Sequence, residues 1–230
     1  MALAGTVKTV AVHDVVQRVY PRPPVTERDE RGMAEGKAID GALSRFSHEF
    51  AQGRRPTVTA ILRYAEATFE DELRDAHLEL SDAARLAFLA KARELLRLFR
   101  SSELFGLPRP RTRLLLIDGD AGVYAQPDFW NGRDRIYELK SYRAHPPAPD
   151  ILLQLDLFQL AYPGFVEVLA CLDRHASPAT LTLHPIALVL PDREREILAL
   201  ARTTALETGT EKVLRYVDSP VIRRNTRTPD

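Results

Sequence analysis

The sequence predicts a mixed α/β fold of the α+β kind, in which a helical first half leads into a sheet-bearing core. Three observations carry this. Apolar residues recur at helical spacing through the first hundred residues, short β-prone runs separated by turn clusters occupy 113–141, and an almost wholly apolar helix follows them. At the usual one to two hundred residues per domain, 1–230 reads as one domain: a mainly helical wall over 1–105, the core over 106–217 and a basic tail over 218–230.

Taken in order, Thr6 to Val12 carries valines at 7, 10 and 12 and predicts a short strand, after which Asp14 caps a helix reaching Tyr20. Pro21, Pro23 and Pro24 end it, and the charged stretch Val25 to Gly32 reads as a connector. Between Ala34 and Gln52, the residues Ile39, Leu43, Phe46 and Phe50 follow i, i+4, i+7, i+11, one face of an amphipathic helix with Asp40, Ser44 and Ser47 opposite. A second helix starts after Pro56 and runs to about Leu73, and a third runs from a Ser81 or Asp82 cap to about Arg100.

The period then changes. Arg113 to Ile117, Gly122 to Trp130 and Arg135 to Ser141 predict an antiparallel meander, punctuated by Asp-Gly-Asp at 118–120 and Asn-Gly at 131–132. Asp150 is positioned to cap a helix whose Leu152, Leu153, Leu155, Leu157, Phe158 and Leu160 make it apolar almost all round, and therefore buried, until Pro163 stops it. Strands at Phe165 to Leu172 and Thr180 to Leu190, a helix from about Asp192 to Thr208 and a helical turn at Glu211 to Val217 complete the chain.

Composition narrows the class. Hydrophobic residues make up 45% and charged residues 28%, with 11 Gly and 16 Pro, which excludes disordered and collagen-like chains. The lone Cys171 excludes a disulfide framework and a four-cysteine zinc or iron–sulfur site, and it fits a reducing, cytoplasmic setting. No run approaches the ~18 to 20 apolar residues of a membrane span. Thirty-two Lys plus Arg balance thirty-two Asp plus Glu, so net charge selects no partner. Of the basic residues only five are lysine, which makes each lysine an unusual choice.

One of them is Lys140. Pro127-Asp128 on one strand is followed across a hairpin by Glu138-Leu139-Lys140 on the next. Strand alternation puts Glu138 and Lys140 on one face and Leu139 on the other, and a four- or five-residue loop around Asn131 to Asp134 sets Asp128 opposite about residue 137 or 138. Two carboxylates and an ammonium then converge. Like charges that close raise each other's pKa unless a cation lies between them, and oxygen ligands suit Mg²⁺ or Mn²⁺. Lys140 beside them could orient or help deprotonate a water, or neutralise a phosphoryl oxygen, which suggests metal-assisted phosphodiester hydrolysis. Gln154, polar at the start of an apolar helix, is expected to face a polar site, because an unpaired buried amide costs roughly 1–3 kcal/mol.

These residues resemble the PD-(D/E)XK nuclease superfamily, and within it the RecB-type branch. The chain offers Gly36-Lys37-Ala38-Ile39-Asp40 for the branch's Gly-x-x-Ile-His, then Asp128, then Glu138-Leu139-Lys140, then Gln154-Leu155-Asp156-Leu157-Phe158 for its Gln-x-x-x-Tyr. The likeness spans about Gly32 to Leu172 and includes the restriction-endonuclease-like αβββαβ order. It implies a deoxyribonuclease in which Asp128, Glu138 and the carbonyl of Leu139 bind Mg²⁺ or Mn²⁺, with Asp40 directly or through water. Lys140 then acts on the nucleophilic water, and Gln154 positions a phosphate or water. Two departures stand out. Asp40 replaces the histidine, and Phe158 replaces the tyrosine, for which Tyr162 and Gln159 are nearby substitutes; Glu35 is a weaker stand-in for Asp40. The absent cysteine cluster separates the chain from iron–sulfur relatives such as the CRISPR-adaptation nucleases.

For the DNA partner, single-stranded or duplex, Arg143 lies three residues beyond Lys140, and Trp130 and Tyr142 are aromatics placed to stack on bases. Further basic sites are Arg54-Arg55, the Arg109 to Arg113 segment, and Arg223-Arg224 with Arg227 in the tail. A homo-oligomer or a protein partner is left open. The alternative reading is a nucleic-acid-binding or assembly subunit with the nuclease fold and no turnover. The histidines show no metal-ligand spacing, and neither His13-Asp14 nor His48-Glu49 has the partner histidines of a metallohydrolase.

Overall fold

A computed structural model describes residues 6–21, 26–142, 144–213 and 221–223. The element order is β1 (Thr6–Ala11), α1 (Val12–Val19), α2 (Glu27–Ala51), α3 (Val58–Asp75), α4 (Asp82–Arg100), β2 (Arg113–Ile117), β3 (Ala121–Ala125), β4 (Phe129–Trp130), β5 (Arg135–Lys140), α5 (Pro149–Ala161), β6 (Val166–Asp173), β7 (Thr180–Pro185), α6 (Pro191–Thr208), β8 (Thr210–Val213) and β9 (Val221–Arg223). The fold is α+β. Among the described residues the strands form a five-stranded sheet, β8-β1-β3-β2-β9, and a four-stranded sheet, β4-β5-β6-β7. No helix among them is long and apolar enough to cross a membrane.

The two faces of the four-stranded sheet are covered differently. Phe129, Tyr137, Leu139, Val168, Ala170 and Leu172 join the core built by α2, α3 and α4, so the helical wall lies on this face. The opposite face carries Ile136, Glu138 and Lys140 and is covered by α5, whose Leu153, Leu157 and Leu160 share a second core with α1, α6 and the five-stranded sheet. α5 is buried almost all round, as its composition predicts.

Several boundaries differ from the sequence reading. The expected strand Gly122 to Trp130 divides into β3 and β4, which lie in different sheets, so the meander crosses between them. Pro127 has no N–H for a ladder, and the Asp128 carboxylate takes the Leu139 N–H at 2.9 Å. The connector expected at Val25 to Gly32 is helical from Glu27, because Thr26 and Asp29 form a capping box; Val25 lies outside the described residues. Strand β7 stops at Pro185. Beyond it Gln159 takes over the backbone, donating to Ala187 O at 2.9 Å and accepting from Val189 N at 3.0 Å.

Asp150 is not the cap of α5: Ala148 is, with Pro149 opening the helix and Asp150 in its first turn. Asp14 acts three residues inside α1, accepting from Ala11 N at 3.0 Å. In place of a helical turn at Glu211, β8 adds to the edge of β1 with Thr6 opposite Val213; residues 214–217 lie outside the described set. Within the tail, Val221–Arg223 pairs parallel with β2, and Arg224 and Arg227 are not among the described residues.

Candidate active site

The site lies where β4, β5, α2 and α5 meet. Register places Phe129 opposite Tyr137 and Trp130 opposite Ile136, so Asp128 comes level with Glu138. The hairpin holds its register through Asn131, whose Oδ1 accepts from the backbone of Arg133, Asp134 and Arg135 at 2.9, 3.1 and 3.0 Å. Asp128 is fixed at two points: Oδ2 accepts from Leu139 N, and its main-chain carbonyl accepts from His48 Nε2 of α2 at 3.1 Å. Through this bond His48 ties the helical wall to the loop that presents Asp128.

Glu138 is 5% exposed. Its Oε1 accepts from Lys140 Nζ at 2.9 Å and from Gln154 Nε2 at 2.7 Å, while Gln154 Oε1 accepts from Lys140 Nζ at 3.0 Å. Three residues from one strand and one helix thus close a ring of hydrogen bonds, and Gln154 meets the polar partner its position in an apolar helix demands. Asp40 approaches from α2. Its Oδ1 is buried without a partner among the described residues, and Ser141 hydrogen-bonds the carboxylate.

Burial pushes the Asp40 carboxyl up to about 7, against the Ser141 hydrogen bond and the Lys140 and Arg174 charges, while Glu138 adds to the rise. Glu138 is also pushed up to about 7, by burial first and then by the Asp128 charge. Asp128 moves upward for the first of those reasons, opposed by the Leu139 N–H bond and Lys140. Burial disfavours the Lys140 ammonium, but the Glu138 carboxylate and its hydrogen bond, with Asp128 behind them, outweigh it, so the pKa rises above the usual lysine value. Lys140 therefore stays charged.

Three carboxyl groups with raised pKa values around one ammonium are short of positive charge, and all their donors are oxygen, which suits a hard divalent cation. The orphaned Asp40 oxygen fits the same demand. As they stand, Glu138 is turned to Lys140 and Gln154, and among the described residues no three His, Cys, Asp or Glu side chains form a ready ligand group.

The other sequence candidates fall in different places. Tyr142 is 39% exposed beside the cluster, and Asp40 and Lys140 both act on its hydroxyl. Arg143 lies outside the described residues. Trp130 lines a neighbouring cavity rather than the carboxylate cluster. Neither substitute for the missing tyrosine reaches the cluster: Gln159 holds the 187–189 segment, and the Tyr162 hydroxyl donates to Arg111 O at 2.5 Å. Phe158 is buried in the second core. Glu35 sits 3.9 Å from Arg174 Nε.

Arg174, just after β6, is the residue sequence reasoning missed. It is 7% exposed, and its guanidinium donates to Ser141 Oγ at 3.0 Å and to Gly32 O at 2.9 Å. Ser141 in turn bonds Asp40, so Arg174 holds Asp40 at one remove. A Cβ on Gly36 would lie 2.8 Å from Arg174 Nη1, which accounts for a glycine inside α2. That glycine was the one sequence signal pointing to a close neighbour.

No protein-family model and no curated protein matches the sequence. Among solved structures, the chain resembles the crystal structure of SSO0001 with a TM-score of 0.38 and 13% identity, over 88% of this chain and 78% of that one. A likeness that slight says nothing about activity.

Proposed function

We propose that the chain is a metal-dependent deoxyribonuclease of the PD-(D/E)XK type, which hydrolyses DNA phosphodiester bonds with an activated water. The observation that carries this reading is the ring of Glu138, Lys140 and Gln154 beside Asp128, with Asp40 buried against it. Crowding carboxylates together under cover is unfavourable for folding alone, and raised pKa values of this kind concentrate at sites of chemistry.

A divalent cation, Mg²⁺ or Mn²⁺, supplies positive charge that acidifies an attacking water and offsets charge on the phosphate. Asp128, Glu138 and the Leu139 carbonyl would hold it, with Asp40 directly or through water. Lys140, held cationic by Glu138, cannot accept a proton as it stands; its work is to orient the water and stabilise phosphoryl charge. Gln154 fixes the Glu138 carboxylate and the Lys140 ammonium relative to each other. Tyr142, exposed at the rim, offers a stacking face to the DNA.

A second reading, a nucleic-acid-binding or assembly subunit without turnover, draws on one observation: Lys140 and Gln154 both occupy the Glu138 oxygen that a metal would need. A cleavage panel of single-stranded, duplex, circular and branched DNA with Mg²⁺ and Mn²⁺ separates the two. The nuclease reading expects cleavage that a chelator stops. DNA binding with no cleavage across the whole panel would leave the second reading.

A further inference from the structure

Beyond the carboxylate cluster, a cavity of about 720 Å³ opens where β4, the end of α5 and the start of β2 meet. Its size lies in the range of small-molecule sites. Its walls include Tyr162 and Phe165, set edge to face at 6.1 Å, with Ile136 and Trp130 from the hairpin. Arg113 lies over both rings, 4.6 Å from the Tyr162 centroid and 5.3 Å from that of Phe165. Among the described residues no carboxylate pairs with Arg113. Trp130 Nε1 is buried and has no hydrogen-bond partner among the described residues, so the polar edge of its indole lacks the acceptor it would normally hold. The cavity thus combines aromatic walls with a cation that has no anion and, at the buried edge of the indole, a donor that has no acceptor among the described residues.

A ligand that meets all three needs is flat, carries hydrogen-bond acceptors and is anionic. We propose that this cavity is a nucleotide subsite, taking one base between its aromatic walls and the attached phosphate on Arg113. Its position relates it to the cluster: Trp130 lies two residues beyond Asp128, and at the rise of a strand that is roughly 6–7 Å. The exposed Arg109 acts electrostatically on both Asp128 and Tyr162, so positive charge runs from the carboxylates to the cavity. That the nucleotide belongs to the strand being cut rests on the deoxyribonuclease reading; the affinity for a nucleotide does not.

Trp130 is the only tryptophan in the sequence, so tryptophan fluorescence, excited selectively over the seven tyrosines, reports this cavity. Titrating the full chain with dAMP and with a short oligodeoxynucleotide, without divalent cation and with correction for absorbance, should give saturable quenching. Arg113→Gln should weaken the apparent affinity about tenfold, the loss expected for one charge-assisted contact, and Arg113→Lys should weaken it less. Asp128→Asn should quench like wild type. Absence of saturable quenching, or benzoate binding as tightly as dAMP, overturns the subsite, as does unchanged affinity in a folded Arg113→Gln. DNA cleavage without quenching leaves the nuclease and removes the subsite. Nucleotide quenching without cleavage on any substrate keeps the subsite and removes the nuclease.

Discussion

Gln154 Nε2 stands 2.7 Å from Glu138 Oε1, joining the first turns of α5 to the strand that carries the nuclease-like motif. The contact explains why a polar residue is kept at this position of a largely buried and apolar helix. Gln154→Ala leaves both Glu138 and Lys140 one partner short. Hydrogen bonds to charged groups contribute ~1.5–3 kcal/mol, so turnover should fall about 10- to 100-fold with the circular dichroism of the fold retained. Glu138→Ala and Asp128→Ala should abolish cleavage altogether. Wild-type turnover in either carboxylate variant would remove the site.

Lys140 is the charge the three carboxyl groups share. Lys140→Ala should lower single-turnover cleavage by ~10² to 10⁴-fold while metal affinity, read by calorimetry, is largely kept. Lys140→Arg should rescue only in part, because a planar guanidinium does not reproduce a compact ammonium. Lost metal binding with unaltered chemistry would contradict this role.

Gly36 makes a sharper test of the support behind Asp40. In Gly36→Ala the new Cβ presses on the Arg174 guanidinium, which its bonds to Ser141 and Gly32 hold in place. Alanine gains ~1 kcal/mol of helix propensity over glycine, so stability should change little. Cleavage should nonetheless drop and its metal requirement rise, since Ser141 and then Asp40 lose their anchor. If the melting temperature falls and the metal titration of cleavage does not move, Arg174 serves packing alone.

Much of this was legible in the sequence because it rests on local periodicity. Alternation put Glu138 and Lys140 on one face, and helical spacing placed Asp40 opposite the Ile39, Leu43 and Phe46 stripe. What was not legible depends on contacts distant in the chain. The split of Gly122 to Trp130 between two sheets comes from Pro127 and the Asp128 carboxylate bonding Leu139 N, and Arg174 reaches Gly32 across 142 positions. Nor could spacing reveal that Gln159, an apparent spare site amide, is spent on the 187–189 backbone.

Glu167, which is not one of the proposed metal ligands, gives a pH-dependent prediction for the metal-free protein. It lies opposite Ile136 in the parallel β5–β6 register, 1% exposed, with both carboxylate oxygens buried and unpartnered among the described residues. Burial raises its pKa well above the usual carboxylate value, and the Glu138 and Asp156 charges add to the rise. The folded chain therefore holds a proton that the unfolded chain releases near pH 4.5, so metal-free stability declines as pH rises from there towards the folded pKa. Glu167→Gln imitates the protonated acid at every pH. Its melting temperature should match wild type at low pH and exceed it near neutrality; parallel curves for the two proteins would refute the burial of an uncompensated acid.

Substitutions at Asp40 test which metal the proposed site would take. If it joins Asp128 and Glu138, the pocket is all oxygen and should accept Mg²⁺ as well as Mn²⁺. Asp40→His should then shift preference towards Mn²⁺, because imidazole is a poorer partner for the harder ion. Asp40→Asn keeps the size and removes one negative charge, so it should weaken both cations while relieving the repulsion from Glu138 in the metal-free protein. The orphaned Oδ1 makes the second effect visible as thermal stabilisation without metal. Metal titrations of cleavage read the first. Unchanged Mg²⁺ and Mn²⁺ curves in both variants would exclude Asp40 from the site, and Glu35, already beside Arg174, would have to leave that partner to take its place.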